Sequence, residues 1–188
     1  QAQRLCQGKV RSLLLDNYRL IKIIGRGGMG IVYEAEHRTM KHRVAVKVIS
    51  SKVTANNSTL RRFFREVEVA AKLSHPNIVT AIDANQTGKK YYMVMELVQG
   101  EDLGVIVQRE TVLTVPEVIG YMPQAAVGIA YAHNQGVIHR DIKPHNMLLD
   151  NDGVIKILDM GLVSLQRPQG SDDDDSITQH NQIIGTVD

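Results

Sequence analysis

Tryptophan is absent from this 188-residue chain, phenylalanine occurs twice and cysteine once. A lone Cys6 forms no internal disulfide, so a reducing compartment is the expectation and the fold must be held by its core. No motif surrounds Cys6, which gives it no catalytic reading. No run reaches the roughly 18 apolar residues of a membrane span, and the N-terminus lacks a signal peptide's apolar segment. Residues 1–13 are too short and mixed to argue a transit peptide. Internal repeats are missing, and the only low-complexity stretch is Gly170–Ser176 with its four consecutive aspartates, expected to be solvated and disordered. What is present is ordinary for a folded domain: 43% hydrophobic and 22% charged residues, enough for a sizeable core in one domain or slightly more.

The net charge of +2 hides an asymmetry. Residues 1–100 hold 17 Lys/Arg against 7 Asp/Glu, and residues 101–188 hold 5 against 13. A basic first half suggests nucleic acid, but these cations are scattered through strand-like and helix-like patterns rather than clustered with aromatics. Two lobes with an anionic ligand between them explain the split equally well, and no nucleic-acid partner is expected.

Tyr18–Ile24 reads as a strand interrupted by Gly25-Arg26-Gly27-Gly28-Met29-Gly30, and alternation resumes from Ile31 to Glu36. Residues 43–49 form a third strand rich in β-branched residues. A G-x-G-x-x-G run is a weak signal by itself, and a structural turn explains it as well as a ligand does. A dinucleotide-binding unit requires a helix after the last glycine and an acidic residue about 20 positions on. Here a strand follows and no acid stands near position 50, so that reading fails. The glycines describe a hairpin lid whose bare backbone can approach phosphates.

Asn56, Asn57 or Ser58 can cap a helix running to about Leu73. At 100° per residue, Arg61, Arg65, Glu68 and Lys72 share a polar face, while Glu66 lies near Phe63, Ala70 and Leu73. A carboxylate on a core-facing stripe needs a partner. Lys47, inside an apolar strand, has the opposite need, so each would satisfy the other. The bland alternative is that both snorkel separately to water. Ile78–Ala84 and Tyr91–Met95 then read as a strand pair, and Glu96–Asp102 as a hinge.

Thr114-Val115-Pro116-Glu117 is a capping box that opens a long helix, with Val118, Met122, Ala125, Ile129 and Ala132 as its apolar stripe. Pro123 inside that stripe predicts a kink or break. His133 reads as a packed core histidine. Strand-like residues 137–138, 147–149 and 154–158 frame two acidic motifs, His139-Arg140-Asp141-Ile142-Lys143-Pro144-His145-Asn146 and Asp159-Met160-Gly161. Asp141, Lys143 and Asn146 place a base, a cation and a neutral metal ligand on one loop.

Taken in order, Gly25/Gly27/Gly30 with Val32, Val44-Ala45-Val46-Lys47, Glu66, His139–Asn146 and Asp159-Met160-Gly161 resemble a protein kinase domain. Met29-Gly30-Ile31-Val32-Tyr33 is most similar to bacterial serine/threonine kinases, and the resemblance covers roughly residues 17–188. It implies an α+β, two-lobed fold: a five-stranded antiparallel N-lobe with one main helix over 17–98, after a lead-in at 1–16, and an incomplete, mainly helical C-lobe over 99–188.

The resemblance also implies roles. The backbone of Gly25, Arg26, Gly27, Gly28, Met29 and Gly30 would cover the phosphates of ATP. Ile24, Val32, Ala45, Met95 and Leu148 would line the adenine site, with backbone bonds from Glu96 to Val98 and the ribose against Asp102. Lys47, oriented by Glu66, would hold the α- and β-phosphates. Asp141 would accept the hydroxyl proton, Lys143 would stabilise the moving phosphoryl group, and Asn146 and Asp159 would hold Mg²⁺. Lys143 points to a serine or threonine acceptor on a protein substrate, with dimerisation for autophosphorylation as a further mode of partnering and the cytoplasm as the setting.

Two departures from the pattern stand out. Met160 replaces the usual phenylalanine, which predicts softer packing behind the metal-binding aspartate. The chain also starts at Gln1 and ends at Asp188, before the A-P-E segment, and so is expected to be a fragment with weak ATP binding, little peptide phosphorylation and poor solubility. Ser171, Ser176 and Thr178 in the activation segment are candidate phosphorylation sites, with Arg140 as the docking cation. The competing reading is a pseudokinase or nucleotide-binding scaffold without turnover. Retention of Lys47, Glu66, Asp141, Asn146 and Asp159 argues for the enzyme.

Overall fold

The computed structural model describes residues 13–28, 30–51, 60, 64, 67–68 and 70–160. Its first layer is a six-stranded sheet in the order β1-β2-β3-β4-β6-β5. The strands are β1 (Leu13–Leu15), β2 (Tyr18–Gly27), β3 (Gly30–His37), β4 (Arg43–Ile49), β5 (Ala81–Thr87) and β6 (Lys90–Glu96). All pairings are antiparallel.

One strand more than expected is present. Leu13–Leu15, assigned to the lead-in, folds back across Asp16-Asn17 so that Leu15 pairs with Tyr18 and buries itself in the sheet core. Asp16 takes a left-handed φ of 49°, a conformation that aspartate tolerates better than most residues. The β5–β6 pair begins and ends later than the apolar pattern suggested, because Ile78 and Val79 pair elsewhere.

Strand β4 is buried on both faces, as its near-continuous apolar run requires. Val44 and Val46 join Tyr18, Leu20, Tyr33, Tyr92 and Val94 on one side. Ala45 and Ile49 join Met93, Met95 and Val67 on the other, where Leu60 and Phe64 also pack. The backbone at Leu60, Phe64, Val67, Glu68 and Ala70 is helical, and Glu68 is exposed as its polar face predicts. Lys47 shares parity with Ala45, so it projects from the helix-covered face of the sheet.

The second layer has strands β7 (Gly100–Asp102), β8 (Met147–Asp150) and β9 (Ile155–Ile157), with helices α1 (Leu103–Glu110) and α2 (Val115–Asn134). Asp102 caps α1 by accepting from the Val105 N–H at 3.1 Å. Glu117 closes the expected box at the start of α2, accepting from Thr114 N at 2.7 Å and Oγ1 at 2.6 Å.

Helix α2 runs unbroken through Pro123. Pro123 and Ile119, the residue whose carbonyl it deprives of a donor, both fall on the exposed face of the helix. The buried side of α2 consists of Ala125, Gly128 and Ala132, whereas Val118 and Met122 are exposed, so the expected stripe is rotated toward small residues. A Cβ on Gly128 would lie 3.1 Å from Asn77 and Ile157, which shows how closely the helix approaches that junction.

His133 is exposed, contrary to expectation, and the packed histidine is His139 at 1% exposure. Residues 137–138 form no strand; Val137 instead fills a core with Leu73, Ile78, Ala132, Ile157 and Met160. Val79 N donates to Ile157 O and Ile157 N to Asn77 O, both at 2.9 Å, so β9 is stitched to the segment that leads into β5. The two layers meet at this junction and at residues 97–99.

Candidate active site

A cavity of about 830 Å³ opens between the layers. Its lining includes Ile24, Gly25, Arg26, Gly27, Gly28, Gly30, Val32, Ala45, Lys47, Met95, Glu96, Val98, Asp102, Asp141, Lys143, Asn146, Leu148 and Asp159. Every described residue that the sequence nominated for nucleotide, metal or catalysis is therefore on one wall or another, whereas Arg140, the expected docking cation, is not among the lining residues. Met29 and Glu66, and with Glu66 the expected pairing to Lys47, lie outside the described residues, as do Gly161, Ser171, Ser176 and Thr178.

The glycine hairpin forms the upper wall. Gly27 pairs with Gly30 at its tip. A Cβ on Gly30 would lie 2.1 Å from the Val48 carbonyl oxygen, so the sheet itself demands glycine there. A Cβ on Gly27 or Gly28 would meet nothing within 4 Å. Packing places no demand on those two, and the open space in front of them is cavity.

Two charged clusters face each other across the floor. Lys47, 5% exposed, donates from Nζ to Asp159 Oδ1 at 2.5 Å. Asp159 sits just beyond β9 with a left-handed φ of 55°. In the second cluster, Asn146 Nδ2 donates to Asp141 O at 2.6 Å and to Oδ2 at 2.9 Å, while Lys143 Nζ lies 3.1 Å from the same Oδ2. Pro144–Asn146 forms a single 3-10 turn that brings Asn146 back over Asp141.

His139 ties the two clusters together. The Asp141 N–H donates to its Nδ1 at 3.3 Å, so the ring carries its proton on Nε2 and donates to the Leu158 carbonyl at 2.7 Å. Leu158 N in turn donates to Asn146 O at 2.9 Å. Behind Asp159, Met160 is 5% exposed and packs with Leu73 and Ile157.

The donor set suits a hard cation. Asn146 uses its amide nitrogen toward Asp141, and Asp159 uses Oδ1 toward Lys47. Among the described residues, Asn146 Oδ1 and Asp159 Oδ2 have no protein partner, leaving two oxygens in the cavity wall. Mg²⁺ takes oxygen ligands and is commonly held by one or two protein groups plus phosphates.

The outer rim shows what residue-by-residue reading missed. Glu96 is fixed by its carboxylate, which accepts from Thr80 N at 2.8 Å and from Lys156 Nζ at 3.0 Å through both oxygens. Asp102 Oδ1 takes a second bond, from His145 Nδ1 at 3.0 Å. Val79, Gln99, His145 and Leu158 also line the cavity. His145 was already inside a named motif, two residues after Lys143, but nothing local marked its side chain as part of the wall.

Comparisons with known proteins agree with this geometry. A family model described as "Protein kinase domain" matches residues 18–187. The chain is 37% identical over 170 residues to the serine/threonine-protein kinase PrkC of Bacillus subtilis, covering 90% of this chain and 25% of that protein. It is 36% identical over 180 residues to a probable serine/threonine-protein kinase PknB of Lactococcus lactis, covering 95% of this chain and 28% of that protein. The crystal structure of the Mycobacterium tuberculosis PknI kinase domain superposes with a TM-score of 0.72 at 30% identity, over 83% of this chain and 64% of that one. The chain thus spans about a quarter of the length of the curated relatives it matches. With a matching sheet, a glycine hairpin over the cavity and the charged residues gathered beneath it, the chain belongs to the protein kinase domain family.

Proposed function

We propose that this chain forms the nucleotide-binding and catalytic-loop part of a serine/threonine protein kinase that transfers the γ-phosphoryl group of ATP to a protein hydroxyl. The observation that carries this reading is the convergence of Lys47, Asp141, Lys143, Asn146 and Asp159 on one cavity beneath the glycine hairpin. Residues 17–98 and 99–188 act as the two lobes around it.

In-line phosphoryl transfer asks the protein mainly for position and electrostatic stabilisation. Bound Mg²⁺ supplies neutralisation of charge on the phosphate oxygens. Asn146 and Asp159 present their uncommitted oxygens for it. Lys47, held by Asp159, provides a cation for the α- and β-phosphates. Asp141 orients the acceptor hydroxyl and takes its proton, held in place by Asn146 Nδ2. Lys143, beside Asp141, balances that carboxylate before transfer and stabilises the moving phosphoryl group during it. Ala45, Val32, Met95 and Leu148 supply apolar walls for the adenine, and Glu96 to Val98 backbone bonds to its edge. Lys156 and Thr80 hold the start of that stretch rigid through Glu96.

Among the described residues no helix is long and apolar enough to cross a membrane. The cytoplasm, where ATP is available, is the proposed setting for this part of the protein, with Ser/Thr-bearing proteins and a second copy as proposed partners. Transfer of labelled γ-phosphate to a protein acceptor by the full-length protein tests the reading. Asp141→Asn is expected to lower turnover by roughly 10²–10⁴ with nucleotide binding kept. Mg·ATP binding without any transfer by the unmodified protein would leave a nucleotide-binding module instead.

A further inference from the structure

The rim of the cavity carries a side-chain chain that the mechanism above does not use: Gln108, His145 and Asp102. Asp102 Oδ1 is doubly engaged, by the Val105 N–H at 3.1 Å and by His145 Nδ1 at 3.0 Å. A carboxylate only accepts, so His145 carries a proton on Nδ1. Its other nitrogen lies 3.4 Å from Gln108 Nε2, one turn along α1. Both Asp102 and His145 line the cavity.

The His145 ring has a built seat. A Cβ on Gly104 would fall 2.3 Å from Nδ1 and 2.7 Å from Cγ of that ring, so only glycine lets the ring lie flat on the first turn of α1. Seated there, the ring holds Oδ1 and thereby turns Asp102 so that its second oxygen, Oδ2, is unpartnered among the described residues. An Asp102 capped by Val105 alone keeps rotational freedom that this arrangement removes. A fixed acceptor oxygen on the polar rim of a nucleotide cavity suits a vicinal diol better than any other part of a nucleotide.

We propose that His145 is a positioning residue that sets sugar specificity, acting through Asp102 to hold Oδ2 for the ribose hydroxyls. This rests on the nucleotide reading of the cavity. Recognition of the diol is then the work of a three-residue unit, Gly104 seating the ring, His145 holding the carboxylate and Asp102 touching the sugar. A kinase with a bulkier residue at 104 would lose the unit even with the histidine and aspartate in place.

Calorimetric titration of the full-length protein with Mg·ATP and with Mg·2′,3′-dideoxy-ATP tests it, the ratio of the two dissociation constants being the readout. The unmodified protein is expected to favour ATP about tenfold, the loss of one charge-assisted hydrogen bond. His145→Ala and Gly104→Ala should each lower that ratio to about two- or threefold, and His145→Asn, whose Nδ2–H replaces Nδ1–H, should restore it. His145→Phe keeps the ring on Gly104 without its nitrogens, and so gives the same reading if the alanine variant is unfolded. A wild-type ratio in His145→Phe, with the ratio abolished in Asp102→Ala, overturns the role of His145 and leaves the nucleotide reading intact. An unchanged ratio in Asp102→Ala overturns the ribose assignment together with the proposal.

Discussion

Lys47 and Asp159 are 112 residues apart in sequence, and their side chains meet at 2.5 Å. Lys47 comes from the central strand of the first sheet and Asp159 from the turn just past β9. The contact answers the question a lysine in an apolar strand raises, because a buried ammonium without a counter-ion is strongly unfavourable. It also joins the two layers directly at the floor of the cavity.

Breaking that pair from the carboxylate side should therefore cost more than breaking it from the lysine side. Asp159→Asn leaves Lys47 charged and 6% exposed at its side chain, while Lys47→Met leaves an aspartate that is 31% exposed and can be hydrated. Asp159→Asn is expected to destabilise the fold by about 1–3 kcal/mol, the partial exposure of Asp159 reducing the usual cost of an orphaned buried charge. Lys47→Met should cost less than 1 kcal/mol by the same argument and yet abolish phosphoryl transfer. Urea unfolding of both variants measures the difference, and equal midpoints would refute it.

The glycine hairpin separates a folding requirement from a ligand requirement. Gly30→Ala drives a Cβ into the Val48 carbonyl and should destabilise the first sheet by about 2 kcal/mol or more. Gly27→Ala meets open space, so its melting temperature should stay within about 2 °C of the parent. Its expected defect is a weaker affinity for Mg·ATP, seen by titration.

Asp16 and Tyr92 set a pH window for the first sheet. Tyr92 Oη donates to Asp16 Oδ2 at 2.5 Å, and Thr87 donates to the same oxygen, tying the β1–β2 turn to the β5–β6 hairpin. Those two hydrogen bonds hold the Asp16 carboxyl below its usual range. Burial, and then the bond to Asp16, push the Tyr92 hydroxyl above its own. A lowered carboxylate stabilises the fold above its unfolded value, about 4, and that contribution fades as pH falls through the folded value. A raised tyrosine stabilises below about 10, and its contribution fades as pH rises further. Stability from this cluster should accordingly form a plateau between those limits. In Asp16→Ala the buried Tyr92 hydroxyl loses its acceptor, an expected cost of about 1–2 kcal/mol at pH 7, and the acid limb of the profile should flatten.

Gln124 is the polar centre of the junction between the layers. Its Oε1 accepts from Ile155 N at 3.0 Å and Asn77 Nδ2 at 3.2 Å, and its Nε2 donates to Gly120 O at 3.0 Å and Gly153 O at 3.1 Å. Asn77 Nδ2 also donates to Ile155 O at 2.9 Å. Gln124→Leu would leave the Ile155 N–H without its acceptor and is expected to cost about 2–3 kcal/mol. Because β9 leads into Asp159, the apparent Mg²⁺ requirement should rise as well. A loss of stability with an unchanged Mg²⁺ titration would show that the network supports the fold alone.

Much of the site was legible because its signals are local. Asp141, Lys143 and Asn146 fall within one short stretch of chain, and the strands β2, β3 and β4 announce themselves by period-two alternation around the glycines. Errors came where a local pattern had two solutions. His133, at a helix end, reads as the packed histidine, and only tertiary packing shows that His139 bridges Asp141 to Leu158 while His133 is exposed. Pro123 looked like a helix breaker because its position on the helix circumference, not its presence, decides the cost. Leu13–Leu15 was too short to read as a strand without knowing that Tyr18–Leu20 would pair with it.

Sequence alone determined which residue types stand at which spacing: Lys47, Asp141, Lys143, Asn146 and Asp159, two cations, two carboxylates and an amide supplied in that order. Tertiary structure alone decided who meets whom: Lys47 with Asp159, Asn77 with Gln124, and Asp102 with His145. The reason is physical. Periodicity records which face a residue occupies on its own element, whereas a pairing across 43 to 112 residues depends on how whole sheets and helices dock, and that is settled by burial summed over the entire core.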